Sequence, residues 1–514
     1  MKTDAILVMD FGGQYSHLIM RRIREMNVYS EMVPPDITAE EIEGFSSRYS
    51  LRGIILSGGP SSIYENNAPR CDRKILEIGV PVLGICYGHQ LLAHYLGGRV
   101  KKSEKMEYGV TQITVDRRDL ILKGHGRRET IWMSHGDTVF AMPENFEVLA
   151  HSRNCPISAF RHSEQPIYGI QWHPEVTHTP KGRLLLRNFV FDVCGCSPTW
   201  TPENFIEKSI REIREKVGNS RCIIALSGGI DSSTAAVLAA RAVGKNLTAV
   251  FVDHGFMREG EPEMIARTFS GFNFNLITLD ERKTFLSKLR GVRDPEEKRR
   301  IIGGEFIRAF ERVAAKTGAE YLVQGTIYPD RIESGVGKHS EKIKTHHNVG
   351  GLPSRMRFRG IVEPIRDLYK DEVRRIAKAL GIPDAIASKQ PFPGPGLAIR
   401  IVGEVTEEKL EILKRADGIV REEIEKSGLK GRLWQYFAVL LDTRSTGVKG
   451  DSRAYGYTVV IRAVESTDGM TASYAKLPHR LIEKISTRIT NEIPEVNRVV
   501  YDVTHKPPAT IEWE

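Results

Sequence analysis

Short apolar runs recur through the first part of the chain in "AILVMD", "GIILSGG", "VPVLGIC" and "IYGIQWHPE". Between them, "SHLIMRRIREM" and "HQLLAHYLGG" carry apolar residues at the three- and four-residue spacing of a helix face. Runs with no polar alternation are strands buried on both sides, and the helical segments cover them. The alternation predicts an α/β domain with a largely parallel sheet over residues 1–195. "GCSPTWTPENF" then breaks the pattern with two prolines and marks a boundary. A second α/β series, over 204–398, has strand candidates "CIIALSG", "LTAVFVDHG" and "YLVQGT". The last stretch, 399–514, reads as a helix pair followed by the strand-rich "YGYTVVIRAVES" and "VNRVVYDVTH". The predicted architecture is two doubly wound parallel-sheet domains and a small α+β C-terminal domain, with no repeat of solenoid period.

Composition bounds this picture without changing it. A chain of 514 residues fits about three domains at roughly 150 residues each. The start, "MKTDAILVMDFGGQYS", lacks the basic flank and long apolar core of a signal peptide, and no apolar run reaches about 18 residues, so a cytoplasmic protein without a membrane span is expected. The six cysteines form no C-x-x-C pair, and Cys194-Gly195-Cys196 has no further ligands near it in the sequence. A net charge of +9 is modest for this length. The clusters "EEKRRIIGG" and "SRMRFRG" read as solvated faces or anion contacts rather than a nucleic-acid track.

In "VPVLGICYGHQLLAHYLGG", Cys86 lies between Gly84 and Gly88, after a buried strand and before a helix. Glycines permit a sharp turn there, and a helix N-terminus favours a thiolate, so the segment reads as a nucleophile elbow with sulfur in place of oxygen; a buried turn cysteine is the plain alternative. "IQWHPE" sets His173 and Glu175 on one side of an extended segment, as a base and the acid that orients it. "LSGGP" at 56–60 offers backbone N–H groups to an oxyanion. "GICYGHQ" together with "QWHPE" resembles the class I glutamine amidotransferase family, which hydrolyses glutamine and delivers ammonia. The resemblance implies that Cys86 is the nucleophile, His173 the base and Glu175 the orienting acid. It further implies oxyanion donors around Gly58, Gly59 and Tyr87, and a glutamine site lined or flanked by Gln90, Ser134, His135, Gly136 and Asp137.

"ALSGGIDSS" follows the apolar run "CIIA" and leads into a helix. A Walker loop would carry a lysine, and this one has none. It offers the N–H groups of Gly228 and Gly229, the hydroxyls of Ser227, Ser232 and Ser233, and the Asp231 carboxylate, a set suited to Mg²⁺ and a departing pyrophosphate; a capped helix start is the plain alternative. The string resembles the PP-loop of the ATP pyrophosphatase family, which splits ATP between its α and β phosphates. That likeness implies ATP contacts from Ala225, Leu226, Ser227, Gly228, Gly229, Ile230, Asp231, Ser232 and Ser233, with Val252, Gln324 and Gly325 at neighbouring strand ends and Asp231 on the metal.

Ammonia from one site and an adenylated oxygen at the other together replace a carbonyl-type oxygen by an amine, with ammonia sheltered from protonation on the way. "IYPDRIESG", "KTHHNVGGLP", "QPFPGPGLAIRI", "RAVESTDGMTA" and "KPPATIEWE" extend the likeness over the whole chain, which resembles the family of glutamine-hydrolysing ligases that convert xanthosine 5′-monophosphate (XMP) to GMP. That resemblance implies ATP, XMP and L-glutamine as substrates, and XMP contacts from Lys344, Pro393, Gly394, Pro395, Lys506, Ile511 and Glu512. It also implies a homodimer through the C-terminal domain. His254, Gly304 and Arg331 depart from the family pattern, and Arg308, one helical turn past Gly304, is placed to supply the missing cation. The rival readings are a tRNA thiolase, which would want reactive cysteines by the loop, an NAD synthetase, and a basic RNA-binding protein with vestigial sites.

Overall fold

The computed structural model describes residues 2–335, 358–449, 451–466 and 469–514. The chain folds into two compact units, Met1–Phe205 and Ile206–Glu514.

The first unit is built on a nine-stranded sheet. Its strands are β1 (Asp4–Met9), β2 (Tyr29–Val33), β3 (Ser50–Leu56), β4 (Val82–Ile85), β5 (Arg99–Val115), β6 (Arg128–Ala141), β7 (Phe146–Ser152), β8 (Ala159–His162) and β9 (Ile167–Ile170). They lie in the order β2-β1-β3-β4-β9-β8-β7-β5-β6. From β2 to β9 neighbouring strands run parallel, and every residue of β1, β4 and β9 is buried, as their largely apolar sequences require. From β9 to β6 they alternate in direction. This antiparallel half is the part the apolar runs did not announce. Strands such as "RETIWMSHGDTVFA" bury only some positions and keep polar residues on the other face.

The second unit holds an all-parallel sheet of β10 (Cys222–Ala225), β11 (Leu247–Asp253), β12 (Asn275–Asp280), β13 (Tyr321–Val323) and β14 (Gly360–Val362), in the order β12-β11-β10-β13-β14. The order reverses direction at β10, so a crevice opens at its carboxyl end. A third sheet comprises β15 (Ile401–Val402), β16 (Gln435–Lys449), β17 (Ser452–Glu465), β18 (Ser473–Tyr474) and β19 (Val496–Tyr501), with the β16–β17 hairpin at its centre. Helices Glu407–Lys426 and His479–Glu492 pack on it through Leu413, Val420, Ile485 and Ile489. The expected helix pair is therefore present in space but split in sequence, because β16, β17 and β18 lie between its members. The same apolar core continues through Leu397 and Ile302 to Val250 and Ile223 on the parallel sheet. Among the described residues no helix is long and apolar enough to cross a membrane.

Candidate active sites

In the first unit β4 ends at Ile85 and a helix begins at Tyr87, leaving Cys86 at the corner with φ 52° and ψ −102°. Its N–H donates to the Ile170 carbonyl at the end of β9, 2.9 Å away. The flanking glycines are there for space: a Cβ on Gly84 would stand 2.5 Å from the Gly88 carbonyl oxygen, and one on Gly88 would stand 2.3 Å from that of Leu56. The thiol donates to the Ser134 carbonyl at 3.5 Å.

His173 and Glu175 follow β9 and are buried. His173 Nδ1 donates to Glu175 Oε1 at 2.7 Å, which fixes the tautomer and turns the other ring nitrogen to the hydrogen bond with Cys86. Burial by itself would lower the imidazole pKa, but the Cys86 sulfur and then the Glu175 carboxylate outweigh it and raise it to about 11. The base is held through its main chain as well, its N–H on the Trp132 carbonyl (3.0 Å) and its carbonyl on Thr179 Oγ1 (2.6 Å). Tyr15 meets the imidazole edge-on, 5.2 Å between centroids.

The backbone at Gly58 borders this pair, since a Cβ there would lie 3.0 Å from His173 Cε1 and 3.4 Å from Cys86 Cβ. Gly59 is pressed on Phe11, whose carbonyl oxygen would be 2.7 Å from an added Cβ. Tyr87 opens the helix, so its N–H has no intrahelical acceptor. Gln90 Nε2 donates to the Asp137 carbonyl (2.8 Å) and to Gln171 Oε1 (3.2 Å). The Asp137 carboxylate accepts from Ser62 Oγ at 2.5 Å. Ser134 is exposed and Gly136 half-buried, whereas His135 points to the opposite face and is buried against Glu107. Ser62 and Glu107 carried no sequence signal, being a serine and a glutamate among many.

In the second unit the loop after β10 folds on itself before opening the helix Ile230–Val243. Ser227 and Ser232 share a hydrogen bond of 2.9 Å, and the Gly229 N–H donates to Ser227 Oγ (3.2 Å). Gly228 has φ 71°, and a Cβ there would strike Ile265 at 2.2 Å. Ala225 and Ser227 are exposed and Gly229, Asp231 and Ser232 half-exposed, while Leu226, Ile230 and Val252 are buried. Ser233 departs from the expected display of hydroxyls: it is fully buried and its Oγ has no partner. Gly325 lies close under the helix start, 2.9 Å from Asp231 and Ser232 backbone atoms for an added Cβ, and the Gln324 N–H is held by the Val362 carbonyl at 2.9 Å.

The cation that the loop itself lacks arrives from 139 residues away, where Lys370 Nζ meets Asp231 Oδ2 at 2.5 Å. The other carboxylate oxygen, Oδ1, is buried and unpartnered. That free oxygen suits Mg²⁺, which is commonly held by one or two carboxylates together with substrate phosphates.

The 393–395 turn closes with a Gly396 N–H bond to the Pro393 carbonyl (2.9 Å), and Leu397 N–H donates to Phe256 O (2.7 Å). In the tail, Lys506 Nζ donates to the Gly469 carbonyl (2.8 Å) and Ile511 packs on Phe437, Val439 and Val460. Glu512 is engaged within the protein, bidentate to the fully buried Arg400 (2.9 and 2.8 Å) and accepting from Gln435 (2.8 Å). Lys344 lies outside the described residues. Of the departures, Arg331 pairs with Asp367; Arg308, expected to supply the cation missing at Gly304, pairs with Glu305. His254 is a core residue ringed by Phe256, Phe285 and Phe306. Cys194, Cys196 and Cys222 are buried, and burial pushes the thiols of Cys196 and Cys222 up to about 12 and about 11. Among the described residues no group of three or more His, Cys, Asp or Glu side chains is placed to hold a metal.

Residues 7–193 match the family described as glutamine amidotransferase class-I, residues 203–287 the NAD synthase family, and residues 422–513 the GMP synthase C terminal domain. The molecule is thus a class I glutamine amidotransferase unit joined to a PP-loop domain. Over 516 residues the chain is 55% identical to GMP synthase (glutamine-hydrolyzing) of Caldicellulosiruptor saccharolyticus, covering 100% of both chains. It is 55% identical over 516 residues to the Geobacillus kaustophilus protein of the same description, again covering 100% of both. With that of Bacillus subtilis it shares 54% over 513 residues, 99% of each. The chain belongs to the GMP synthase (glutamine-hydrolyzing) family.

Proposed function

We infer that this protein makes GMP from XMP, ATP and glutamine. ATP transfers its adenylyl group to the oxygen on C2 of XMP and releases pyrophosphate. Glutamine and water give glutamate and ammonia, and ammonia displaces AMP from C2, losing a proton, to leave GMP. The observation that carries the reading is that one chain holds both a Cys86–His173–Glu175 constellation and a hydroxyl-rich loop joined to Lys370.

In this reading the Cys86 sulfur attacks the glutamine amide carbon. His173 takes the thiol proton as the sulfur attacks and gives it to the departing ammonia; it then takes one from the water that frees glutamate and returns it to the sulfur, while Glu175 holds the ring's tautomer throughout. The N–H groups of Gly58 and Tyr87 stabilise the oxyanion, and the pocket is completed by Gln90, Ser134, Gly136 and Asp137, with His135 turned away from it onto Glu107. In the second unit, residues 225–233 cradle the pyrophosphate, with Val252, Gln324 and Gly325 beside the nucleotide. Asp231 would hold Mg²⁺, which when bound neutralises charge on the departing pyrophosphate. XMP is taken by Pro393, Gly394, Pro395, Lys344, Lys506 and Ile511. Glu512 reaches it only by exchanging its bonds to Arg400 and Gln435. Residues 1–195, 204–398 and 399–514 divide the work into glutamine hydrolysis, adenylation and XMP binding, and the last pairs two chains into a homodimer, which sedimentation equilibrium tests directly.

The deciding experiment supplies Mg²⁺, ATP and XMP with either glutamine or an ammonium salt, to the native protein and to Cys86→Ala, and separates the nucleotides. GMP and AMP should appear together, and the variant should lose glutamine but keep ammonia as nitrogen donor. Formation of ADP, or no GMP from either donor, would refute the reading.

A further inference from the structure

Strands β5 and β6 pass the elbow, where the Ser134 carbonyl of β6 meets Cys86, and a buried hydrogen-bonded pair that the triad does not use joins them there. Glu107 on β5 and His135 on β6 are cross-strand partners, 5% and 4% exposed. Glu107 Oε2 faces His135 Nε2 at 3.2 Å. Ser152 Oγ donates to the two carboxylate oxygens at 2.8 and 2.9 Å, and Asn154 Nδ2 adds a bond of 3.3 Å. Burial alone would raise the Glu107 pKa, but these donors outweigh it and hold the carboxyl below its ordinary value. On the far side of the ring, His135 Nδ1 is 2.9 Å from the Asp137 carbonyl oxygen.

The pair sits where the ladder is irregular. Lys102 is opposite Asp137 and Glu107 opposite His135, with the register shifting between them. An irregular ladder leaves register to side chains, and a slip of one residue turns every side chain to the other face. At this place register has a chemical consequence. The Ser134 carbonyl takes the Cys86 thiol, the Asp137 carbonyl takes Gln90 from the elbow helix, and the Asp137 carboxylate takes Ser62. Gln90 in turn reaches Gln171, two positions before His173.

We propose that Glu107 and His135 are positioning residues for glutamine hydrolysis, fixing residues 134–137 so that the Ser134 and Asp137 carbonyls hold the thiol and the elbow helix in reacting geometry. The proposal rests on the amidotransferase reading and adds to it a pair that touches no substrate. Its effect falls on turnover, because it acts on the nucleophile's orientation, and it is confined to glutamine, because ammonia bypasses the first unit.

The test compares native protein, Glu107→Gln, Glu107→Asp and Ser152→Ala. For Glu107→Gln we expect the glutamine-dependent kcat and the rate of Cys86 alkylation by iodoacetamide each to fall about tenfold, with KM for glutamine changed by less than about threefold. Ammonia-dependent GMP formation should stay within about twofold, and Glu107→Asp should recover part of the loss. Ser152→Ala, which removes one donor with little change of volume, should lower kcat about threefold. It decides the matter if Glu107→Gln does not fold. The proposal is overturned if glutamine- and ammonia-dependent rates fall together, if alkylation is unchanged, or if KM rather than kcat carries the loss. Native protein that forms no GMP from ammonia would sink the synthetic reading instead, leaving the alkylation result to judge the pair.

Discussion

His254 is 4% exposed, its Nδ1 accepts the Phe256 N–H at 3.0 Å, and burial lowers its pKa to about 3. The unfolded chain binds a proton there below its ordinary value of 6.5 and the folded chain does not until about 3, so stability is present above 6.5 and lost as pH falls through that window. We expect about 2 kcal/mol to be lost between pH 7 and pH 5 from this residue alone. His254→Asn should flatten that part of the dependence, read from urea melts at the two pH values. Lys370 belongs to the same scale, because its whole effect is one Nζ beside one carboxylate. Lys370→Met should slow ammonia-dependent AMP formation by on the order of a hundredfold, and Lys370→Arg should recover part of it in the same assay. Cys86, His173 and Glu175 were legible because each is bound to a local pattern, a glycine-flanked turn or a two-residue spacing. Lys370 and Glu107 were not, since each meets its partner across a long stretch of chain and neither has a telling neighbour.

Strand and helix meet closely at the elbow, where the backbone of the helix Tyr87–Tyr95 runs against β3 and β4 with glycine at both close points. Gly88→Ala puts a methyl group 2.3 Å from the Leu56 carbonyl oxygen, so one element must move. The expected cost is about 1–3 kcal/mol, measurable as a lower urea midpoint, together with loss of glutamine-dependent turnover. The same contrast of environments explains which elements could be read in advance. β1, β4, β9, β10 and β11 are nearly or wholly buried and spell themselves as apolar runs. β5 through β8 and the half-exposed β12 do not, because one face meets solvent and carries charge. Of the helix pair expected ahead of the strands, only Glu407–Lys426 stands there, and nothing local said that His479–Glu492 would follow the hairpin.

Each unit closes its own apolar core, so damage in one should remain there. Scanning calorimetry of Gly88→Ala should show one transition moved down and another in place, and ammonia-dependent synthesis should persist up to the second. A single transition shifting as a whole would show that the units unfold together. The backbone at Cys86 has a further consequence for the molecule. A residue with a side chain at φ 52° and ψ −102° sits where only glycine is comfortable, at a cost of order 1–3 kcal/mol. Cys86→Gly should therefore be unable to use glutamine and yet melt at a higher temperature than the native protein. A chain built for durability alone would carry no sulfur at this corner; here reactivity toward an amide and thermodynamic comfort pull the same residue in opposite directions.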